Sequence, residues 1–269
     1  MNRRTHQSTS PPWIIAIPAG AALLFLGLPL VALILRAPWA RMVAVLTSPT
    51  SVDALRLSLI TATCATLICL AVGVPLAWVL ARAEFPGRRF ARALVTVPLV
   101  LPPVVGGIAL LLAFGRRGLV GQWLDSWFGV TLPFTTPGVI VAEAFVAMPF
   151  LIITMEGALR SLDGRLEDAA ATLGADRWTV FRRVTLPLIA PSLIAGVVLT
   201  FARALGEFGA TITFAGNLPG VTQTLPLAVY VGLEGDPAEA VALSLVLLSV
   251  SVAILVLLRD RWLRTGATP

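Results

Sequence analysis

The sequence predicts an all-α membrane protein that crosses the bilayer six times. Three observations carry that expectation. Of the 269 residues, 57% are hydrophobic and 13% charged, with a mean hydropathy of +0.91, more apolar surface than a soluble core of this size needs. Six apolar runs, most of them long enough for a bilayer core of ~30 Å, alternate with polar segments. The chain has no lysine, and all but one of its 20 arginines lie outside those runs. That placement is the charge pattern of membrane topology rather than of nucleic-acid binding.

Residues 1–11 are polar and hold Arg3, Arg4 and His6. The first span, Pro12 to Leu35, exceeds the apolar region of a signal peptide and is read as retained. Pro18 and Pro29 can bend it. Arg36 to Arg56 reads as a loop with a surface helix. The second span, 57–81, carries Ser58, Thr61, Thr63, Thr66 and Gly73, small or hydroxylated residues suited to close helix contact. After the basic link Arg82–Arg92 comes the third span, 93–114, with Pro98, Pro102, Pro103, Gly106 and Gly107. Prolines free backbone carbonyls, which lipid tolerates only where a neighbour or a cavity satisfies them. This span therefore packs inside the bundle or lines a pathway, with a plain kink as the competing reading.

Gly115 to Pro137 reads as a loop whose Trp123, Trp127 and Phe128 suit the membrane interface. The fourth span, 138–155, holds Glu143, and the fifth, 189–211, holds Arg203 and Glu207. Phe214 to Glu239 reads as a loop without basic residues, and 240–258 is the sixth span. The organisation is 1–52 (tail, first span and external loop), 53–258 (the bundle of the remaining spans) and 259–269 (a tail with Arg259, Arg261 and Arg264). With both termini on one side, fourteen arginines fall there and five (Arg36, Arg41, Arg56, Arg116, Arg117) fall opposite. The excess places both termini in the cytoplasm.

On that same inner side lies the polar stretch Asp163–Pro187. Leu166, Ala169, Ala170 and Leu173 follow helical spacing. Asp163 can cap the start, Glu167 and Asp168 suit the first turns, and Gly174 suits the stop. Asp176 can cap a second short helix with Trp178, Phe181 and Val184 on its apolar side; Arg177, Arg182 and Arg183 lie off it, and Leu186-Pro187 ends the pair. Two readings stand: a solvated hairpin, or a docking element for another protein.

Charges inside spans are expensive and need a reason. Arg203 and Glu207, four apart, can pair along one helix face. The pair either fixes packing or presents positive potential to an anion in transit. Glu143 can pair with Arg203, face a wet cavity, or be protonated. Gly206 and Gly209 serve close packing or a gate. Cys64 and Cys69 lie five apart within an apolar run, so neither a disulfide nor a metal site is expected. Without lysine no phosphate-binding Gly-x-x-x-x-Gly-Lys loop exists, and with His6 as the sole histidine no Ser/His/Asp or Cys/His catalytic set exists. No catalytic residue is therefore expected. No internal repeat is visible, which disfavours an inverted-repeat secondary transporter.

The spacing Asp168-Ala169-Ala170, Gly174, then Val184-Thr185-Leu186-Pro187 resembles the EAA loop of ABC-transporter permeases, with Asp for the usual Glu and Val for the usual Ile. The segment from Ala202 to Thr211, with Phe214–Asn217 and Thr222–Ala228, is similar to permeases for tetrahedral oxyanions, most of all the molybdate type. The resemblance implies a type I importer permease fold in the cell inner membrane, with two copies forming one pathway. It implies ATPase subunits that carry ATP and Mg and dock on Asp168, Ala169, Ala170, Gly174, Asp176, Arg177, Leu186 and Pro187. It also implies a periplasmic oxyanion-binding protein and no cofactor on this chain. Candidate pathway or gate residues are Arg203, Gly206, Glu207, Gly209, Glu143, Pro102 and Pro103. Sulfate, thiosulfate and tungstate permeases are the near alternatives. A self-contained proton-coupled anion transporter built on Glu143, Arg203 and Glu207 is the alternative of another class.

Overall fold

The computed structural model describes residues 13–265; Arg3, Arg4, His6 and residues 266–269 lie outside them. Thirteen α-helices follow one another: α1 Trp13–Leu35, α2 Met42–Leu46, α3 Pro49–Arg82, α4 Arg88–Val100, α5 Pro103–Phe114, α6 Gly121–Phe128, α7 Thr136–Ser161, α8 Gly164–Thr172, α9 Arg177–Val180, α10 Leu186–Leu205, α11 Gly209–Phe214, α12 Leu225–Gly235 and α13 Pro237–Thr265. No strand occurs among the described residues. Among the described residues, four stretches are long and apolar enough to cross a membrane, namely α1, α3, α7 and Arg177–Leu205, and five if α4 and α5 count as one bent span. The sixth expected span, 240–258, lies within α13, which is apolar over Pro237–Ala253.

The core is a seam of small residues. Ala62, Ala65, Cys69 and Ala77 of α3 meet Ala144, Ala147, Leu151 and Met155 of α7, with Ile189 and Ala204 of α10 alongside. Gly73 lets Ile152 approach, since a Cβ there would stand 3.3 Å from its side chain. Small side chains permit this approach where lipid supplies no hydrophobic drive between helices. A second cluster joins Leu110 of α5, Ala142 and Val146 of α7, and Ala210 and Phe214 of α11. None of the residues of α1 is buried.

Several expected boundaries move, each for a local reason. The second span begins at Pro49 rather than residue 57, because Ser48 caps the helix (the Ser51 N–H donates to Oγ at 3.3 Å) and proline suits its first turn. The third span, expected over 93–114, is two helices bent by 120°. A residue before proline avoids helical geometry. Leu101 precedes Pro102 and Pro102 precedes Pro103, and both are extended, with ψ of 128° and 132°. The expected loop 115–137 contains α6, and the loop 214–239 contains α12, whose Leu225 N–H donates to Ser58 Oγ of α3 at 2.6 Å. The fifth span breaks after Leu205 instead of running to 211.

The second helix of the polar stretch does not end at Leu186-Pro187. It runs through a π-helical turn, Phe181–Thr185, straight into α10. Pro187 has no N–H for the Arg183 carbonyl and would crowd it in an ordinary α-turn. The widened turn, with the Leu186 N–H on the Phe181 carbonyl, absorbs that conflict.

Candidate functional site

Two places hold the residues singled out by sequence: the polar hairpin α8–α9 and a junction where two helix breaks meet.

In the hairpin, Asp163 caps α8 through the Arg165 N–H at 3.0 Å, and Asp176 caps α9 through the Thr179 N–H at 3.1 Å. The Thr179 hydroxyl and N–H hold the Asp176 carboxyl below its ordinary range. Gly174 ends α8 at φ +88°, with the Gly174 N–H on the Ala171 carbonyl and the Ala175 N–H on the Ala170 carbonyl. This is the Schellman arrangement that favours glycine. Asp168, Ala169 and Arg177 are exposed and Ala170 half-buried; Leu186 is half-buried and Pro187 exposed. Of the apolar side chains at helical spacing, several are largely uncovered: Leu173 is 88% exposed, Trp178 65% and Leu166 50%.

The hairpin is nevertheless tied firmly to the bundle, through residues that spacing alone did not single out as its anchors. Glu167 takes Arg82, at the end of α3, in a two-pronged pair of 2.9 and 3.0 Å. The same carboxylate accepts the Thr185 hydroxyl at 2.6 Å. Arg82 also lies over the Trp78 ring, and Trp78 meets Phe181 edge-on at 5.4 Å. A bidentate arginine fixes direction as well as distance, so α8 moves with α3 and α10. Beneath it a cleft of about 380 Å³ is lined by Trp78, Glu167, Asp168, Arg177 and Phe181 among others. The only sequence signal for these anchors was Glu167 in the first turn of α8.

The junction lies between the α4–α5 break at Leu101-Pro102 and the α10–α11 break at Gly206–Phe208. Gly209 packs on Pro103: a Cβ at Gly209 would stand 2.6 Å from the Pro103 Cβ. Gly107 packs on α11 in the same way, 2.6 Å from Thr213 and 2.9 Å from the Ala210 carbonyl. Glycine here answers a need for closeness, not for an unusual φ. Pro102 and Pro103 are themselves exposed, as is Gly206.

Glu207 bridges the second break. Its Oε2 lies 2.6 Å from Arg203 Nη2 at the end of α10, and its Oε1 accepts the Ala210 N–H of α11 at 2.9 Å. The expected pair is present, and it also caps a helix. Glu207 is buried, whereas the Arg203 side chain keeps 27% of its surface open. Glu143 does not pair with Arg203. It is buried in α7 and accepts the Thr61 hydroxyl of α3 at 2.9 Å. The arrangement can present one partly open guanidinium, already balanced by a carboxylate, where two broken helices meet. Broken helices at membrane depth persist only where protein or a cavity satisfies their ends.

Comparison with known proteins follows this geometry. Residues 73–265 match the family described as "Binding-protein-dependent transport system inner membrane component". The chain is 51% identical over 249 residues to the "Molybdenum transport system permease protein ModB" of Mycobacterium tuberculosis, covering 93% of this chain and 94% of that one. It is 40% identical over 244 residues to the "Sulfate transport system permease protein CysT" of Escherichia coli, covering 88% of each. Its fold is similar to that in the crystal structure of a bacterial alginate ABC transporter in complex with an alginate pentasaccharide-bound periplasmic protein, with a TM-score of 0.75, 20% identity and 95% of each chain covered.

Proposed function

Since the chain belongs to the family of binding-protein-dependent transport system inner membrane components, we propose that it is the permease subunit of an ATP-driven importer for a tetrahedral oxyanion, molybdate first. The observation that carries this is the hairpin: rigidly anchored to α3 and α10 through Glu167, yet with Leu166, Leu173 and Trp178 uncovered. Such a surface is complete only with a partner against it. An ATPase subunit, carrying ATP and Mg, would seat there on the inner side. Asp168, Ala169, Ala170, Gly174, Asp176 and Arg177 would form the contact, and Leu186 and Pro187 would pass its motion to α10. A chain without lysine has no phosphate-binding loop of its own.

In this reading two copies form one pathway in the inner membrane. Each has six spans, with the α4–α5 pair as the third and α13 as the last, and both termini are cytoplasmic. A periplasmic binding protein delivers the anion. Closure of the ATPase dimer moves the hairpins as rigid bodies. The α4–α5 and α10–α11 breaks take up the motion, and Arg203 meets the passing anion while Glu207 limits how tightly it is held. Molybdate is favoured over sulfate by the closer identity to the molybdenum permease.

The test is reconstitution into proteoliposomes with the cognate binding protein, with and without the ATPase. ATP-dependent molybdate uptake that sulfate competes poorly is expected. Uptake that ignores ATP and collapses with the proton gradient would point instead to a self-contained transporter.

A further inference from the structure

Glu143 is the buried acid that no ion pair serves. It is 1% exposed within α7. Thr61 fills one of its oxygens, and Oε2 has no hydrogen-bond partner among the described residues. Thr211 and Thr224 share that condition: both are buried, and both hydroxyls are unpartnered. The chain brings these groups into one region. Ser58, one turn before Thr61, holds the N–H of Leu225, the residue after Thr224. Thr211 follows Ala210, whose N–H is held by Glu207.

The charges around it are accounted for. On α3, Arg82 is spent on Glu167 at the far end, and Asp53 and Arg56 lie before Ser58 near the helix start. On α4, Arg88 and Arg92 bind the Leu80 and Ala81 carbonyls, Arg92 also binds Glu156 of α7, and Arg89 lies exposed beside Arg88 at the helix start. Arg160, in the last turn of α7, lies 3.8 Å from the same Glu156. Neither α5 nor α11 has a charged residue. On α10, Arg203 is spent on Glu207. Ala142 and Val146 of α7, on either side of Glu143 in sequence, pack in one cluster with Ala210 and Phe214 of α11.

An ionised Glu143 would therefore be a second buried carboxylate beside Glu207, with no cation paired to it and an acceptor oxygen left bare. Unpaired buried charge is the costliest arrangement a bundle can hold. The geometry points to a proton-binding site at Glu143: the side chain is held as a neutral carboxylic acid, so that the junction carries one cation and one carboxylate. The proton comes from water when the junction opens and is trapped when it closes. No bond other than O–H forms or breaks. Alkaline pH strips that proton and leaves an unpaired carboxylate buried at the junction. This inference needs only the buried junction, not the identity of the anion carried.

Infrared spectroscopy of the permease complex in nanodiscs tests it without reference to transport. Wild type at neutral pH should show a carboxylic-acid C=O band that shifts in D2O and is absent from Glu143→Gln. Glu143→Gln, which keeps a neutral group of the same shape, should assemble with a melting temperature close to that of wild type at neutral pH. It should also lose the part of the alkaline decline that ionisation of Glu143 causes in wild type. A wild-type spectrum with only carboxylate bands, or an acid band that survives in Glu143→Gln, overturns the proposal. Should Glu143→Gln not assemble, Glu143→Asp must show the acid band, and its absence is equally decisive.

Discussion

The hairpin and the junction both turn on glycine, and they use it for opposite reasons. Gly174 sits at φ +88° with nothing within 4 Å of the place a Cβ would occupy. Gly209 has a Cβ position 2.6 Å from Pro103. The first glycine is needed for the shape of the backbone and leaves open space beside it. The second is needed because another helix already fills the space. The difference teaches what each region is built to do. The hairpin keeps a fixed form while its surface stays open, as the proposed docking role requires; the junction keeps two broken helices pressed together so that small shifts there are felt by both.

The largest effect should come from the junction's ion pair. Arg203→Ala leaves the buried Glu207 without its cation, which should cost about 3–5 kcal/mol in unfolding free energy. Adding Glu207→Ala should recover part of that loss. A single variant as stable as wild type would mean that the pair does not hold the break together.

Next comes packing. Gly209→Val and Gly107→Val should each cost about 1–3 kcal/mol by overpacking. Gly206→Ala is the control: its Cβ would meet only the Ala202 carbonyl at 3.5 Å, at an ordinary φ of −89°. Thermal melts in detergent that fail to separate the three would erase the contrast with Gly174.

Gly174→Leu should act the other way round. The left-handed φ strains a side chain by about 1–2 kcal/mol, yet the space beside it is free, so melting should shift little. ATP-driven uptake, or retention of the ATPase during purification, should fall sharply. Full activity in this variant would remove the hairpin from the coupling path.

The smallest effect is a pH response at the same place. The Thr179 contacts depress the Asp176 carboxyl below its unfolded value. The cap's contribution is therefore present above the ordinary carboxylate range and fades as pH falls through the depressed folded value. Protection of the Thr179 amide, the slowing of its exchange relative to an unstructured peptide at the same pH, should fall as the medium is acidified, and Asp176→Asn should flatten that dependence.

The hairpin was largely legible beforehand because its determinants are local. Asp163, Gly174 and Asp176 act within a few residues of themselves, and all three take the cap or turn roles that spacing assigned them. Its anchors were not, since Arg82 and Thr185 reach Glu167 from distant and separate helices. At the junction, the Arg203–Glu207 pair was readable from its four-residue spacing. The Pro102-Pro103 break was readable as a disturbance but not as a 120° bend. That Gly209 would lie on Pro103, and Glu143 on Thr61 rather than Arg203, had no local signature.

What the chain's own order of residues determined is the set of apolar spans, the arginine segregation and the capped hairpin. Each depends on interactions a few residues apart, or on transfer from water to lipid. The tertiary structure alone decided which breaks meet and which buried acid goes without a cation. Those outcomes turn on contacts such as Thr61 to Glu143, 82 residues apart, where the close packing of helices, not any local preference, selects the partner.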